Sequence, residues 1–332
     1  MRNDRNFKVL PKVAALLMNL VILSLLAGCK VNTDSVIEEA KRKDVPLVVS
    51  TIFPGYDFAK EVAKDKAVVY QLLKPGAESH TYEPTPQDMI LIRDCDIFIY
   101  AGGESDTWLS DILEDNSNPD RIIISMMDEV NAVEEEEKEG MREGGVLAEY
   151  LGEEEEEEFD EHVWTSPLNA AKISEKICES LCALNPSAEE LYRDNCEDYL
   201  GRLSALNEKY KKVREEAKRN VIVVADRFPF RYLCDEYNLD YCAAYPGCSE
   251  DAEVTADTVI TLCDVVNKQQ IPVVFSIEFS GGKIANSVCE CTNAKRLTLH
   301  SAHNVSYEDI KRGVSYISIM EDNLSALQEA LY

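Results

Sequence analysis

Basic side chains are scarce in this chain of 332 residues: 34 lysines and arginines accompany 62 aspartates and glutamates, for a formal net charge of −28. Nucleic acids and anionic lipid surfaces are bound through positive surface, so this charge argues against both as partners. The acid is concentrated in residues 134–161, which hold the runs Glu134–Glu137 and Glu153–Glu158. Such runs are typical of a solvated, dispensable loop, and they can also collect cations loosely.

Two kinds of paired motif are missing. None of the 11 cysteines stands in a CxxC arrangement, and the chain contains no HExxH phrase. Cys178 and Cys182 lie four residues apart on a predicted helix, where two cysteines are poorly placed to bridge each other. A domain of this size also does not need disulfides to be stable. We therefore expect mostly buried free thiols.

A long apolar run occurs near the start of the chain. Four basic residues precede the run Val13–Leu26, whose length suits a secretory signal better than a spanning helix. The run closes with the letters LAGC, which end at Cys29 and resemble a bacterial lipobox. Residues 1–28 are therefore predicted to be a lipoprotein signal peptide. A cleaved signal with an incidental cysteine, or an uncleaved anchor, are the alternatives.

Lipidation would decide where the protein works. Acyl chains on Cys29, as the first residue of the mature chain, would hold the protein at the extracytoplasmic face of the cell membrane. The polar residues 29–45 would then serve as a tether.

Beyond the tether, short β-rich runs alternate with helical patterns, which is typical of parallel α/β units. Between two such sets, residues 187–218 have helical spacing, and Ser187 with Glu190 fits a capping box. A helix of that length spans on the order of 45 Å. We predict an N-terminal α/β lobe at 46–186 with an acidic insertion at 133–161, a linking helix at 187–218, and a C-terminal α/β lobe at 219–332. The predicted strands are Leu47–Ile52, Ala67–Leu73, Asp96–Tyr100 and Ile122–Ser125, then Val221–Val224, Tyr241–Ala244, Val273–Ile277 and Leu297–Leu299.

Histidine is rare, with four in the whole chain. His80 and His162 each follow a predicted strand or turn and precede a boundary marked by proline, where an α/β fold exposes side chains to a cleft. Imidazole is the commonest protein ligand for first-row divalent metals, so both are candidate metal ligands. A lone histidine is nevertheless more often an ordinary surface or core residue.

The other two histidines, His300 and His303, follow the predicted strand Leu297–Leu299. Loops beyond the carboxyl ends of strands line the crevice in such folds. This position favours His303 as a third ligand, although His300 could face the crevice too. Either could instead be an ordinary loop histidine.

Several landmark phrases occur in one order along residues 46–332. They are Val48–Ala59, Pro75–Pro84 around His80, Asp96–Tyr100 followed by Gly102-Gly103, His162–Trp164 before Pro167, the long helix, and Tyr316–Leu327. In these phrases the sequence resembles the metal-binding lipoproteins of bacterial ABC importers for zinc and manganese. The resemblance implies two parallel-sheet α/β lobes joined by one long backbone helix, a cation in the interlobe cleft, and handover to a membrane permease. It also implies that His80 and His162 are the first two ligands.

The sequence departs from that family at Arg227. Family members usually place a third His or a Glu three residues before the aromatic of the segment Asp226–Tyr232, which here is the position of Arg227. A guanidinium group cannot donate a lone pair to a metal. We therefore expect Arg227 to pair with a cleft acid such as Glu278. A second departure is that the loop before His162 is Glu-rich, whereas zinc members of the family often have a His-rich loop.

The resulting hypothesis is capture of zinc, with manganese second, because imidazoles with one carboxylate or water fit zinc while oxygen-rich sites suit manganese. The expected ligands are His80, His162 and His303, with His300 and Glu278 as further candidates and Glu83 and Asp226 as other carboxylates. We expect a monomer that is not an enzyme. Its partners would be the ion, the ABC-importer permease and, through the lipid anchor, the membrane.

Two other classes of function fit parts of the sequence. A surface adhesion or interaction lipoprotein could bind a partner through the acidic insertion. A zinc-dependent hydrolase could use the open fourth position of a three-histidine site for a water nucleophile, with Glu278 as the base.

Overall fold

The computed structural model describes residues 33–113, 117–136, 138, 141, 159–247 and 255–332. Within these ranges, no helix combines the length and the apolar character needed to cross a bilayer. The predicted signal peptide and the predicted lipidation site Cys29 lie outside the described residues.

The N-terminal lobe is built on a parallel sheet of four strands in the order β2-β1-β3-β4. Alternate residues of the first strand enter different apolar clusters, Val48 on one face and Leu47 and Val49 on the other. Both faces are therefore covered, which explains the nearly continuous apolar strands. The elements are α1 (Thr33–Lys43), β1 (Leu47–Ser50), α2 (Phe53–Ala63), β2 (Val68–Gln71), α3 (Pro86–Asp94), β3 (Ile97–Tyr100), α4 (Ser110–Leu113), β4 (Ile122–Ser125) and α5 (Pro167–Leu184), with short 3-10 turns at Glu104–Leu109, Met127–Glu129 and Val163–Thr165.

The C-terminal lobe repeats this plan with a parallel sheet in the order β6-β5-β7-β8. Ile222 and Val224 point into the central apolar cluster, which also holds Val48 of the other lobe. Val221 and Val223 point into a separate apolar cluster on the opposite face, so this sheet is also buried on both faces. The elements are α6 (Glu189–Glu216), β5 (Val221–Arg227), α7 (Arg231–Glu236), β6 (Asp240–Tyr245), α8 (Ala256–Gln269), β7 (Val273–Ser276), α9 (Lys283–Cys291), β8 (Lys295–Thr298), α10 (Tyr307–Arg312) and α11 (Tyr316–Leu331).

The helix α6 links the two lobes, as predicted. Near its start, the Tyr192 hydroxyl donates to the Lys66 carbonyl of the N-terminal lobe at 2.7 Å. Near its end, the Tyr210 hydroxyl donates to the Met320 carbonyl of α11 at 2.7 Å. With 28 residues the helix is roughly 42 Å long, so one rigid element spans both lobes.

The predicted capping box at the start of this helix is wrong. Pro186–Ala188 forms a 3-10 turn, and α6 begins only at Glu189 without a side-chain cap. Ser187 lies inside that turn, where its hydroxyl donates to the Asn185 side chain at 2.6 Å. Proline at the first position of the turn moves the start of the α-helix past the serine.

The predicted tether is also wrong for residues 33–43, because they form helix α1. Val36, Ile37 and Ala40 are buried, and they pack with Leu47 and Leu91 in the apolar cluster on one face of the N-terminal sheet. These three residues lie at helical spacing, so one face of α1 covers the sheet.

The acidic insertion is not wholly a solvated loop. Its described beginning runs across the C-terminal lobe, where Arg231 donates to the Glu134 carbonyl at 3.3 Å and the Tyr241 hydroxyl donates to the Glu136 carbonyl at 3.0 Å. Lys138 pairs with Asp240 at 2.6 Å. Backbone groups thus find partners that the acidic composition did not reveal. The run Glu153–Glu158 lies outside the described residues.

Candidate metal centre

Three histidines meet beyond the carboxyl ends of the strands. His80 follows β2, His162 follows the acidic insertion after β4, and His303 follows β8 of the other lobe. One ring nitrogen of each lies within 4.8 Å of the others. The ring centroids are 5.6 Å apart for His80 and His162, 5.2 Å for His80 and His303, and 4.7 Å for His162 and His303. All three side chains are buried.

Asp160 fixes the orientation of His162. One Asp160 carboxylate oxygen accepts the backbone N–H of His162 at 2.7 Å and lies 3.0 Å from its Nδ1. Because an ionised carboxylate only accepts hydrogen bonds, Nδ1 carries the proton and Nε2 keeps its lone pair.

Ser301 holds His303 in a similar way. The Ser301 hydroxyl donates to Glu278 and therefore accepts from Nδ1 of His303. Glu278 also accepts the Ser301 backbone N–H at 2.8 Å. The Nε2 atom of His303 is thereby left with its lone pair.

His80 has the third such arrangement. Its Nδ1 lies 2.8 Å from the Ser105 hydroxyl, which donates to a Glu161 carboxylate oxygen at 2.5 Å. Gly103 permits this approach, because a Cβ atom there would overlap the Glu161 side chain. Each imidazole is therefore held through Nδ1 by a carboxylate, directly or through one hydroxyl.

The Nε2 atoms of His162 and His303 are buried and have no hydrogen-bond partner among the described residues. An unpaired buried polar atom costs about 1–3 kcal/mol, so such atoms call for an explanation. Metal-binding histidines usually donate their other ring N–H to a carboxylate or carbonyl, which is the arrangement seen here. The donor set therefore fits a divalent transition metal.

Two imidazoles of the cluster resist protonation. Burial, with added repulsion from His162 and Arg227, lowers the pKa of His80 to about 2. Burial and the neighbouring histidines likewise lower the pKa of His303 well below its usual value. Burial also opposes charge on His162, but the nearby carboxylates, Asp160 foremost with Glu161 and Glu135, together outweigh it and raise the pKa of His162.

Trp164 forms the floor of the site. Its ring lies edge-on to His162 and His303, with centroids 5.6 and 5.2 Å away. Its indole N–H donates to the Ser301 carbonyl at 2.8 Å, which joins the His162 segment to the His303 loop. The apolar ring covers one side of the cluster against water, and its hydrogen bond fixes the two histidine segments relative to each other.

The other candidate ligands lie outside this cluster. Nδ1 of His300 accepts the Ala302 backbone N–H at 2.9 Å, and its ring lies beside Phe279. Glu278 accepts hydrogen bonds from the Ser301 backbone N–H and hydroxyl, and it does not belong to the group of converging histidines. Asp226 accepts the backbone N–H of Arg227 at 3.1 Å. Glu83 is exposed and lines a groove of about 550 Å³ beside His80.

Arg227 pairs with an acid of the cleft, as expected, but the named candidate Glu278 is wrong. Arg227 instead reaches across the cleft to Glu78 of the N-terminal lobe, with 2.7 Å between their nitrogen and oxygen atoms. Glu278 is already occupied by the Ser301 backbone and hydroxyl groups, and its side chain is nearly buried.

Sequence reasoning did not find the residues that hold the imidazoles. Two of them could have been found, because Asp160 and Ser301 each precede a histidine by two residues. An Asp or Ser side chain commonly bonds the backbone N–H two residues on, which brings it beside that residue's ring. Ser105 and Glu161 reach His80 from other parts of the chain, and that contact depends on the fold.

The fold and the site together define a two-lobed α/β protein with a buried three-histidine cluster between its lobes. A family model described as zinc-uptake complex component A, periplasmic, matches residues 48–330. The chain belongs to this family, which confirms the resemblance found in the sequence.

Individual relatives agree with this assignment. The zinc-binding lipoprotein AdcA of Streptococcus pneumoniae is 32% identical over 320 residues, which cover 96% of this chain and 60% of that protein. The chain thus spans 60% of the length of this curated relative. The high-affinity zinc uptake system protein ZnuA of Bacillus subtilis is 28% identical over 286 residues, or 86% of this chain and 87% of that one.

A solved structure confirms the fold class. The Zn(II)-bound ZnuA-like domain of Streptococcus pneumoniae AdcA matches with a TM-score of 0.70 at 30% identity, covering 86% of this chain and 99% of that domain.

Proposed function

We propose that this protein is the extracytoplasmic metal-binding component of an ABC importer, capturing zinc between its lobes and delivering it to a membrane permease. One observation carries the proposal: three buried imidazoles converge, with one ring nitrogen of each within 4.8 Å of the others, and each ring has a contact at Nδ1 that leaves Nε2 available. Two of those Nε2 atoms are buried without a partner among the described residues. The relatives named above are zinc-binding or zinc-uptake proteins, so the adhesion and hydrolase readings are not proposed.

His80, His162 and His303 would be the ligands. Three nitrogen donors suit zinc, which prefers four-coordinate sites, whereas manganese prefers more oxygen ligands. Zinc is therefore the proposed cargo and manganese the second choice. A carboxylate or water would complete the site.

The carboxylates behind the imidazoles would stabilise the dication. Asp160, Glu161 and Glu278 are almost fully buried, and each lies one hydrogen bond or one hydroxyl away from a ligand. Such contacts raise the basicity of an imidazole and fix its ring. Arg227 adds positive charge nearby, and Glu78 offsets it.

Release would follow from separation of the lobes. Two ligands belong to the N-terminal lobe and one to the C-terminal lobe, so opening the cleft removes His303 from the set. A permease that holds the lobes apart would thereby lower the affinity for zinc. Acyl chains on Cys29 would keep the protein at the membrane surface near that permease.

Elemental analysis after competitive loading with equal zinc and manganese tests this proposal. We expect about one tightly bound zinc per chain and little manganese, since a three-imidazole set favours zinc. His80→Ala and His162→Ala should each weaken zinc binding severely, and His300→Ala serves as the matched control. Wild-type affinity and stoichiometry in the double variant of His80 and His162 would show that the site lies elsewhere.

A further inference from the structure

In the described part of the chain nine cysteines stand as thiols outside any disulfide, and six of them are buried. Three of the buried ones share one helix interface, well away from the histidines in sequence. Cys178 and Cys182 belong to α5, and Cys196 belongs to α6, the next helix along the chain. The interface joins the N-terminal lobe to the helix that links the lobes.

Cys178 and Cys196 face each other directly. The Cys178 thiol contacts the Tyr192 carbonyl at 3.5 Å, and the Cys196 thiol contacts the Ser174 carbonyl at 3.9 Å. In an α-helix, a carbonyl accepts the backbone N–H four residues later. Each sulfur therefore lies against the carbonyl that bonds the other cysteine's own backbone N–H, which places the two side chains opposite each other across the interface.

We propose that Cys178 and Cys196 form a disulfide when this chain meets an oxidising extracytoplasmic environment. Cys182 is the competing partner, but its thiol contacts the Glu189 carbonyl at 3.9 Å, one turn nearer the start of α6. Cys182 also lies four residues from Cys178 on one helix, where a bridge would strain the backbone.

The oxidant is a disulfide compound, such as an exported thiol oxidoreductase or oxidised glutathione. One of the two cysteines loses its proton, and its thiolate attacks one sulfur of that compound, which leaves a mixed disulfide and expels one thiolate. The other cysteine then loses its proton and attacks the sulfur of the first, forming the protein disulfide and expelling the second thiolate. The two cysteines lose two electrons, and the oxidant is reduced to two thiols.

A thiolate is the attacking species in disulfide exchange, and the symmetric register of the two thiols lets either cysteine react first. The bridge closes a short loop between two packed helices, and it lies two or more helical turns beyond the His162 segment. It should raise stability and leave zinc affinity unchanged.

The test uses the full chain, denatured, reduced, and refolded in a glutathione redox buffer so that burial does not block access. Non-reducing peptide mapping by mass spectrometry should recover one peptide pair that joins Cys178 to Cys196. The oxidised protein should melt several degrees higher than the reduced protein, with the same zinc affinity.

Cys178→Ser and Cys196→Ser should each abolish both the linked peptide and the rise in melting temperature. Cys95→Ser is the matched control, because Cys95 is also buried but lies in a different apolar cluster, where its thiol contacts the Ile92 carbonyl at 3.2 Å, and it should leave the linkage intact. If a serine variant fails to fold, the alanine variant replaces it. Free Cys178 and Cys196 after refolding, or a link from Cys178 to Cys182, would overturn the proposal.

Discussion

At the scale of single residues, the site depends on the groups behind the imidazoles as much as on the imidazoles themselves. Asp160 accepts both the backbone and the ring N–H of His162, so it sets the position and the tautomer of that ligand together. The hydroxyls of Ser301 and Ser105 contact Nδ1 of His303 and of His80 in the same way, and they set the tautomers of those two rings. None of these three side chains needs to touch the metal to control its affinity.

Asp160→Asn should therefore weaken zinc binding by about 10–100-fold, the usual range for partners of ligating histidines. The amide keeps the size of the carboxylate but loses the charge that favours Nδ1–H. Isothermal titration with a competing chelator measures the change. Asp226→Asn is the matched control, because Asp226 is also a buried cleft acid but bonds no histidine of the cluster, and it should change the affinity little. Equal losses in the two variants would contradict a specific role for Asp160.

At the scale of secondary-structure elements, the described beginning of the acidic insertion is a structural connection between the lobes. Val133 donates its backbone N–H to the Tyr232 hydroxyl at 3.1 Å, and Met141 is buried in the central apolar cluster. The same insertion ends at Asp160 and His162. Its anchoring on the C-terminal lobe thus bears on the position of a proposed ligand.

Met141→Ala should lower the free energy of unfolding by about 2–3 kcal/mol, because it removes a buried side chain from a packed cluster. Met89→Ala is the control, since Met89 is partly exposed on α3 and should cost well under 1 kcal/mol. Chemical denaturation measures both. Equal stability of the two variants would mean that the insertion is a solvated loop after all.

Asp57 on α2 makes stability depend on pH. Burial raises the pKa of its carboxyl from 3.8 to about 7, although it accepts the Tyr316 backbone N–H at the start of α11. Between these values the folded protein holds a proton that the unfolded chain has released, so stability falls as pH rises from about 4 to about 7.

Asp57→Asn should remove this loss of stability at higher pH, because the amide oxygen accepts the same hydrogen bond without a charge to bury. The variant should match the wild type near pH 4 and melt higher than the wild type at pH 8. Asp198→Asn on the exposed side of α6 is the control and should show no such divergence. A constant difference across the pH range would contradict the assignment to Asp57.

The elements were largely predictable from sequence for a simple reason. Strands buried on both faces give continuous apolar runs, and the predicted strands Asp96–Tyr100 and Ile122–Ser125 match the observed Ile97–Tyr100 and Ile122–Ser125 to within one residue. Helix α1 was missed because only three apolar residues, Val36, Ile37 and Ala40, form its buried face within a charged segment. The packing of Glu134, Glu136 and Met141 was missed because two backbone carbonyls and one methionine side chain take part in it, and an acidic composition does not reveal such contacts.

At the scale of the whole molecule, the loop that carries His303 is bonded to the opposite lobe. Asn304 donates to the Lys74 and Ala77 carbonyls at 2.7 and 2.9 Å and accepts from Gln71 at 2.9 Å. These bonds flank the loop that leads to His80. The two lobes are therefore joined beside the proposed ligands, and opening the cleft there must break them.

Asn304→Ala should lower the free energy of unfolding by about 1–3 kcal/mol, because it leaves buried carbonyl and amide groups unpaired. It should also weaken zinc binding, since His303 is the adjacent residue. Asn323→Ala is a matched control within the C-terminal lobe, where Asn323 bonds the His300 backbone. It should reduce stability with less effect on zinc, and the reverse order would contradict the interlobe role of Asn304.

The sequence could indicate the histidines but not their grouping. Position after a strand marked His80, His162 and His303 alike, because the carboxyl ends of parallel strands share one edge. The same position favoured His303 without excluding His300, and only the meeting of loops from the two lobes separates these histidines. The choice of Glu78 rather than Glu278 as the partner of Arg227 likewise depends on contacts between the lobes, which local spacing does not reveal.

The claim at the centre of this account is that His80, His162 and His303 together hold zinc. X-ray absorption spectroscopy at the zinc edge counts imidazole ligands directly, with nitrogen expected at about 2.0–2.1 Å from zinc. The zinc-loaded wild type should show three imidazoles, His303→Ala two, and His300→Ala three. Three imidazoles in His303→Ala together with two in His300→Ala would contradict the account.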